Sequence, residues 1–274
     1  MKKSAHNYRL RPKKKLGQHF LTDEAVAENT AQLLSKAQVD AAIEIGPGNG
    51  MLTQYLLHMI DHLIAVELDD ESIPVLQQRF AQALNLPKQG KSFDIVHKDV
   101  LKMDFAMLTQ QHGQLAIIGN FPYNISSQII FKLLDNRESI PFLAGMFQKE
   151  VAERIAAKEG SKTYGILSVL TQAFYQVDYE FTVNKEAFYP PPKVTSAVIS
   201  LQKLNQPLIN DNIPLFFQVV KKGFQQRRKT LRNSLKTFNL NDDLKQDDIF
   251  AMRPEQLSIS QFVELTKKIA HDGN

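Results

Sequence analysis

Asn120-Phe121-Pro122-Tyr123 is a group of residue types that can act on a flat aromatic amine. The exocyclic amine of an adenine is a weak nucleophile because its lone pair is delocalised into the ring. Two hydrogen-bond acceptors that draw its N–H groups out of conjugation make it a better one. The Asn120 side-chain oxygen and a neighbouring backbone carbonyl can supply them, and Tyr123 can stack on the base. Against a good electrophile no strong general base is needed, and placement supplies most of the rate. Taken alone, the tetrapeptide is equally a proline turn with a packed tyrosine. The elements around it decide between the two.

The tetrapeptide follows an apolar run, Leu115-Ala116-Ile117-Ile118-Gly119, that predicts a parallel strand. Upstream, Ala41-Ala42-Ile43 leads into Glu44-Ile45 and glycines at 46, 48 and 50, with a helical pattern of Met51, Leu52, Tyr55, Leu56 and Met59 after them. Strand, glycine turn, helix is the start of a nucleotide-cofactor site in an open α/β sheet. The spacing is G-x-G-x-G, with Met51 where a dinucleotide fingerprint needs its third glycine. This argues against an NAD-dependent oxidoreductase. A second strand, Leu63-Ile64-Ala65-Val66, ends in Glu67, and a third, Phe93 to His97, ends near Asp99-Val100. Carboxylates at three successive strand ends suit a ligand with ribose and adenine but no phosphate, and S-adenosylmethionine (SAM) is such a ligand.

The chain has 274 residues, 43% of them hydrophobic, enough for one large core and a small second domain. It has no Cys, which excludes disulfides and thiolate metal sites. No apolar run is long enough to cross a membrane, and the basic first residues lack the apolar segment of a secretory signal, so a cytoplasmic location is expected. His58 and His62 are four apart on an expected helix, yet no third ligand is evident, and no metal is expected.

Net charge is +4, but unevenly spread: residues 1–15 and residues 221–236 each hold seven Lys or Arg and no acid. The remainder carries 19 basic residues against 29 acidic ones. Two concentrated basic segments on an acidic body point to a polyanion partner, with Lys13, Lys14, Lys15, Lys222, Arg227, Arg228, Lys229 and Arg232 as candidate RNA contacts. Lys222, Lys229 and Lys236 are seven apart and form one row if the segment is helical throughout; Gly223 and Gln225-Gln226 are the places where it would break. The pattern predicts a flexible basic arm over 1–20, an α/β domain over 21–204 and a helical domain over 205–274. The α/β part includes an edge pair of late strands around Phe174–Val183 and Thr195–Leu201. The helices of the last part are expected at Ile213–Phe224, Thr230–Phe238, Gln246–Met252 and Ile259–Ile269.

Eight blocks in order, over nearly the whole chain, resemble the small-subunit rRNA adenine N6,N6-dimethyltransferases, the KsgA family. They run from Lys15-Leu16-Gly17-Gln18-His19-Phe20-Leu21 through Glu44–Gly50, Glu67-Leu68-Asp69, Asp99-Val100 and Gly119–Ser126. They continue through Phe147–Val151 and Phe188–Val194 to Gln226–Leu235. The resemblance implies a Rossmann-like class I SAM-dependent methyltransferase domain with a small all-helical C-terminal domain. It further implies dimethylation of two adjacent adenosines in a hairpin loop near the 3′ end of 16S rRNA, within the small ribosomal subunit or its precursor. A monomer is expected. By the same resemblance His19 and Leu21 reach the SAM pocket from the N-terminal arm. Gly46 and Gly48 pack on the cofactor, Glu67 holds the ribose, and Asp99 with Val100 takes the SAM adenine. Asn120 to Tyr123 hold the target adenine, with Asn120 also near the cofactor and Phe188 on the base's other face. Position 19 is often Asn in the family and here is His; position 121 is often Leu and here is Phe. Two other readings remain beside this one: a ribosome-assembly factor whose binding matters more than its catalysis, and a DNA adenine N6-methyltransferase.

Overall fold

The computed structural model describes residues 10–39, 41–85 and 90–272. Lys2, Lys3 and Arg9 of the expected basic arm therefore lie outside the described residues. From Leu10 onward the arm is part of the fold: a short 3-10 turn at Lys14–Leu16 leads into strand β1 (Phe20–Leu21).

The strands that follow are β2 (Ala41–Ile45), β3 (His62–Glu67), β4 (Ser92–His97), β5 (Leu115–Asn120), β6 (Phe142–Gln148), β7 (Tyr175–Val183), β8 (Phe188–Tyr189) and β9 (Ser196–Lys203). Seven of them form one sheet in the order β4-β3-β2-β5-β6-β9-β7, and β1 pairs antiparallel with β8. β4 through β6 in that order are parallel. All five residues of β2 and the first five of β5 are buried. Successive side chains point to opposite faces, so these strands are covered on both, as their unbroken apolar runs predict. The expected edge pair is present as neighbouring β9 and β7.

Chain order makes the site. From β2 the chain builds outward through β3 and β4, then returns to β2's other side with β5. Ligands bind in the crevice beyond the strand ends at such a reversal.

Helices α1 (Glu24–Gln32), α2 (Thr53–Met59), α3 (Ser72–Arg79), α4 (Ala81–Asn85), α5 (Phe105–His112) and α6 (Ser126–Asp135) connect these strands. α1 is capped by Asp23, whose Oδ1 accepts from the Val26 N–H at 3.1 Å. α2 ends at Met59, so His58 and His62 do not share a helix. His62 opens β3, and its Nδ1 lies 3.0 Å from Ser92 Oγ.

The remaining helices are α7 (Lys149–Ile155), α8 (Ile166–Gln172), α9 (Ile213–Gln225), α10 (Leu231–Ser234), α11 (Asp242–Lys245) and α12 (Ile259–Asp272). Two compact units emerge: one takes in the chain up to Lys149 with Glu180–Ser200, the other Glu150–Tyr179 with Leu201 onward. The second unit includes residues 150–179, a stretch that the sequence pattern puts with the α/β part. Within it α9 buries Phe216, Val219, Val220 and Phe224, and Phe224 stacks on Phe262 of α12 with ring centroids 5.7 Å apart. α9 stops at Gln225 and α10 starts at Leu231, so the row of Lys222, Lys229 and Lys236 does not form. The expected helix over 246–252 is a 3-10 turn at Asp248–Ala251 preceded by α11.

Candidate active site

The floor of the crevice is acidic. Glu67 ends β3, 5% exposed, and its carboxylate is held by backbone donors: Oε1 accepts from the Leu68 and Asp69 N–H groups at 2.8 Å each, Oε2 from Gly48 at 3.0 Å. Burial pushes its pKa upward, and those three N–H groups oppose the shift. Oε2 has one donor and keeps room for a hydroxyl. Glu44 is 1% exposed, and its Oε2 has no hydrogen-bond partner. Burial raises the Glu44 carboxyl to about 8, opposed by the Thr53 hydroxyl and reinforced by the charge of Glu67. Asp99 follows β4; its Oδ1 accepts from Leu101 N–H at 3.0 Å, and both Asp99 and buried Val100 line the cleft. Among the described lining residues Lys98 is the sole Lys or Arg, against the carboxylates of Glu67 and Asp99 and the carboxyl of Glu44. A phosphate would be repelled here, whereas a ligand with ribose hydroxyls, an adenine amine and positive charge is matched.

The glycine turn keeps this floor open. Gly46 and Gly48 have φ of +70° and +56°, a left-handed conformation that side chains rarely adopt. A Cβ on Gly48 would also meet the Phe20 ring at 3.0 Å.

Asn120 is the last residue of β5, and its Nδ2 donates to the His19 carbonyl at 2.9 Å. A carbonyl only accepts, so the amide nitrogen must face it, and Oδ1 is left for another donor. The Pro122 carbonyl is already used by Ile125 N–H (3.1 Å) and Ser126 Oγ (3.2 Å). Among the described residues the Phe121 carbonyl accepts nothing, which makes it the free backbone acceptor beside Asn120. The Phe121 ring is core: 1% exposed, with its centroid 4.8 Å from that of Phe147. Tyr123 is fixed by its hydroxyl, 2.5 Å from Ser196 Oγ. His19 stacks on its ring at 5.4 Å and anchors its own Nδ1 at the Pro190 carbonyl, 2.8 Å away.

A family model described as "Ribosomal RNA adenine dimethylase" matches residues 9–271. The chain belongs to that family. The ribosomal RNA small subunit methyltransferase A of Flavobacterium johnsoniae is 52% identical over 97% of this chain and 98% of its own. The protein of the same name from Cytophaga hutchinsonii is 48% identical over 96% and 98%. A dimethyladenosine transferase structure from Plasmodium falciparum has the same fold, with TM-score 0.78 and 24% identity over 93% of this chain and 98% of that one. The 23S rRNA methyltransferase ErmE also shares it, with TM-score 0.65 and 20% identity over 92% and 99%.

As a SAM-dependent methyltransferase of the dimethylase family, the chain brings most of its sequence-predicted residues into one cleft. His19, Leu21, Gly46, Gly48, Glu67, Asp99, Val100 and Asn120 through Tyr123 all line it. Phe188 does not. It is 2% exposed and pairs with Leu21 across β1 and β8, beside the cleft rather than among its lining residues. Lys14, Lys15, Arg227, Arg228, Lys229 and Arg232 are exposed, and Lys222 is half-buried. Lys13 is different: its Nζ lies 2.5 Å from Asp69, 3.0 Å from Asp70 and 3.0 Å from Glu71, and those acids raise its pKa. Sequence reasoning missed this pairing, although an acidic run straight after Glu67 in a chain with a basic arm was the available signal. Nor did it find Lys132 of α6, whose Nζ donates to the Leu101 and Met103 carbonyls at 3.2 and 2.5 Å behind the Asp99 loop. Among the described residues no three His, Cys, Asp or Glu gather as a metal site.

Proposed function

We propose that this methyltransferase dimethylates N6 of two adjacent adenosines in a hairpin loop near the 3′ end of 16S rRNA, within the small ribosomal subunit or its precursor. The orientation of Asn120 is the observation that supports it most: its amide nitrogen is committed to His19, which leaves its oxygen, like the carbonyl of the next residue, Phe121, for a donor in an acidic cofactor cleft. Glu67, Glu44, Asp99 and the glycine turn would hold SAM, which supplies an electrophilic methyl group when bound. The two oxygens accept the target amine's hydrogens and localise its lone pair, while Tyr123 aligns the ring. These groups are held in place before the base arrives, so little reorganisation opposes the reaction. A loop adenosine is already unpaired, which lowers the cost of taking the base out of its stack. The relatives' names, ribosomal RNA small subunit methyltransferase A, support the choice of RNA.

The test is transfer of tritium from labelled SAM to undermethylated small subunits, with nucleosides identified by mass spectrometry. The expected product is N6,N6-dimethyladenosine at two neighbouring positions. Label appearing on any other nucleoside, or on naked duplex DNA in preference to subunits, would discard this reading.

A further inference from the structure

Asp69 links the cofactor floor to the amine site. Its backbone N–H donates to Glu67 Oε1, while its carboxylate, 1% exposed, takes Lys13 Nζ at 2.5 Å and Gln18 Nε2 at 2.8 Å. The Lys13 backbone N–H in turn donates to Gln18 Oε1 at 2.8 Å, closing a ring of three residues. One residue further on, the His19 carbonyl holds Asn120 Nδ2, and Phe20-Leu21 pair with Phe188-Tyr189. The segment is thus fastened at both ends, with His19 between. Whichever atom faces the His19 carbonyl must be a donor, so that carbonyl decides which end of the Asn120 amide is left for substrate.

We infer that Asp69, with Lys13 and Gln18, is a positioning residue for methyl transfer: the trio holds residues 13–21 so that the His19 carbonyl keeps the Asn120 oxygen turned to the target amine. This deepens the proposed function and rests on it. It also takes Lys13 out of the RNA-contacting set. Three carboxylates within 3.0 Å outweigh its single charge, so the spot is net negative and unsuited to a phosphate. Lys14 and Lys15, exposed and without such partners among the described residues, remain available to RNA.

The experiment uses the full chain with undermethylated subunits in single turnover, at saturating SAM and saturating subunits. Lys13→Met and Gln18→Leu should each lower the saturated rate on the order of tenfold, since small misplacements of a reacting contact have large effects. Subunit affinity and its salt slope should stay within about twofold of wild type. Lys13→Arg should restore the rate. Hydrogen exchange of a peptide spanning 16–21 should speed up in Lys13→Met, a readout independent of activity. A full saturated rate in both variants would overturn the inference. So would a Lys13→Met variant that loses only affinity, with its salt slope reduced by about one, because that is the signature of a phosphate contact. Wild-type protein that transfers no methyl to adenosine would defeat the functional reading alone; the exchange comparison would still judge the ring of Asp69, Lys13 and Gln18.

Discussion

Glu44 and Glu67 show how two carboxylates of one cleft differ by environment. Glu67 is ringed by backbone N–H groups, while Glu44 has an oxygen with no partner. The Glu44 carboxyl rises from 4.5 to about 8, so the folded protein keeps a proton there that the unfolded chain releases. Where the folded state binds more protons, stability falls as pH rises; the loss should begin near 4.5 and level off near 8. Its slope should approach about 1.4 kcal/mol per pH unit. Glu44→Gln should flatten that slope in urea melts at pH 5, 6, 7 and 8 and be the more stable protein above pH 7. An unaltered slope would place the linked proton elsewhere. Asn120→Ala makes the complementary point about chemistry. It should keep SAM affinity within a few-fold in calorimetry, yet lose roughly two to three orders of magnitude in single-turnover transfer, the scale of one preorganised polar contact. Near-normal dimethyladenosine from that variant would show that the amine is held by other groups.

Strand ends deliver the carboxylates, but neighbouring elements hold the loops that follow them. α6 does so for Asp99: Lys132 hydrogen-bonds the carbonyls of Leu101 and Met103 and sits 5.1 Å from the Phe105 ring centroid. Removing a charged donor from two carbonyls should cost about 1.5–3 kcal/mol in all. Lys132→Met should therefore melt earlier and bind SAM several-fold more weakly, as read by calorimetry; equal affinity would mean that the Asp99 loop keeps its shape unaided. The two glycines facing each other across β5 and β6 work at the same scale. A Cβ on Gly145 would fall 2.2 Å from the Gly119 carbonyl and 2.6 Å from the Phe121 ring, so the bare glycine leaves room for both.

Charge is distributed on the scale of the whole chain. The exposed residues Arg227, Arg228 and Lys229 occupy the turn between α9 and α10, where Arg227 Nη2 donates to the Lys162 carbonyl within the same unit. A basic turn contacts phosphates without reading sequence. Replacing Arg228 and Lys229 with Gln should weaken subunit binding and lower the log–log salt slope by about two, leaving transfer at saturating subunit unchanged. A slope identical to wild type would mark the turn as a solvated surface.

The apolar runs of β2, β3 and β5, the glycine spacing, and the residues Glu67, Asp99 and Asn120 at strand ends were legible because each is a local pattern. A buried strand is a continuous apolar run, and a tight turn needs glycine. The break between α9 and α10 was legible as well, at Gly223 and Gln225-Gln226 between helices expected over Ile213–Phe224 and Thr230–Phe238, and the buried Leu231 of α10 packs there against Gly223. The pairing of Lys13 with Asp69 spans 56 residues, the Asn120 bond to His19 spans 101, and the burial of Phe188 depends on β1 and β8 meeting. Sequence thus determined which chemistry these residues can do. The folded chain decided which ends of them face the substrate, since a donor takes its partner from whatever the tertiary structure brings within 3 Å.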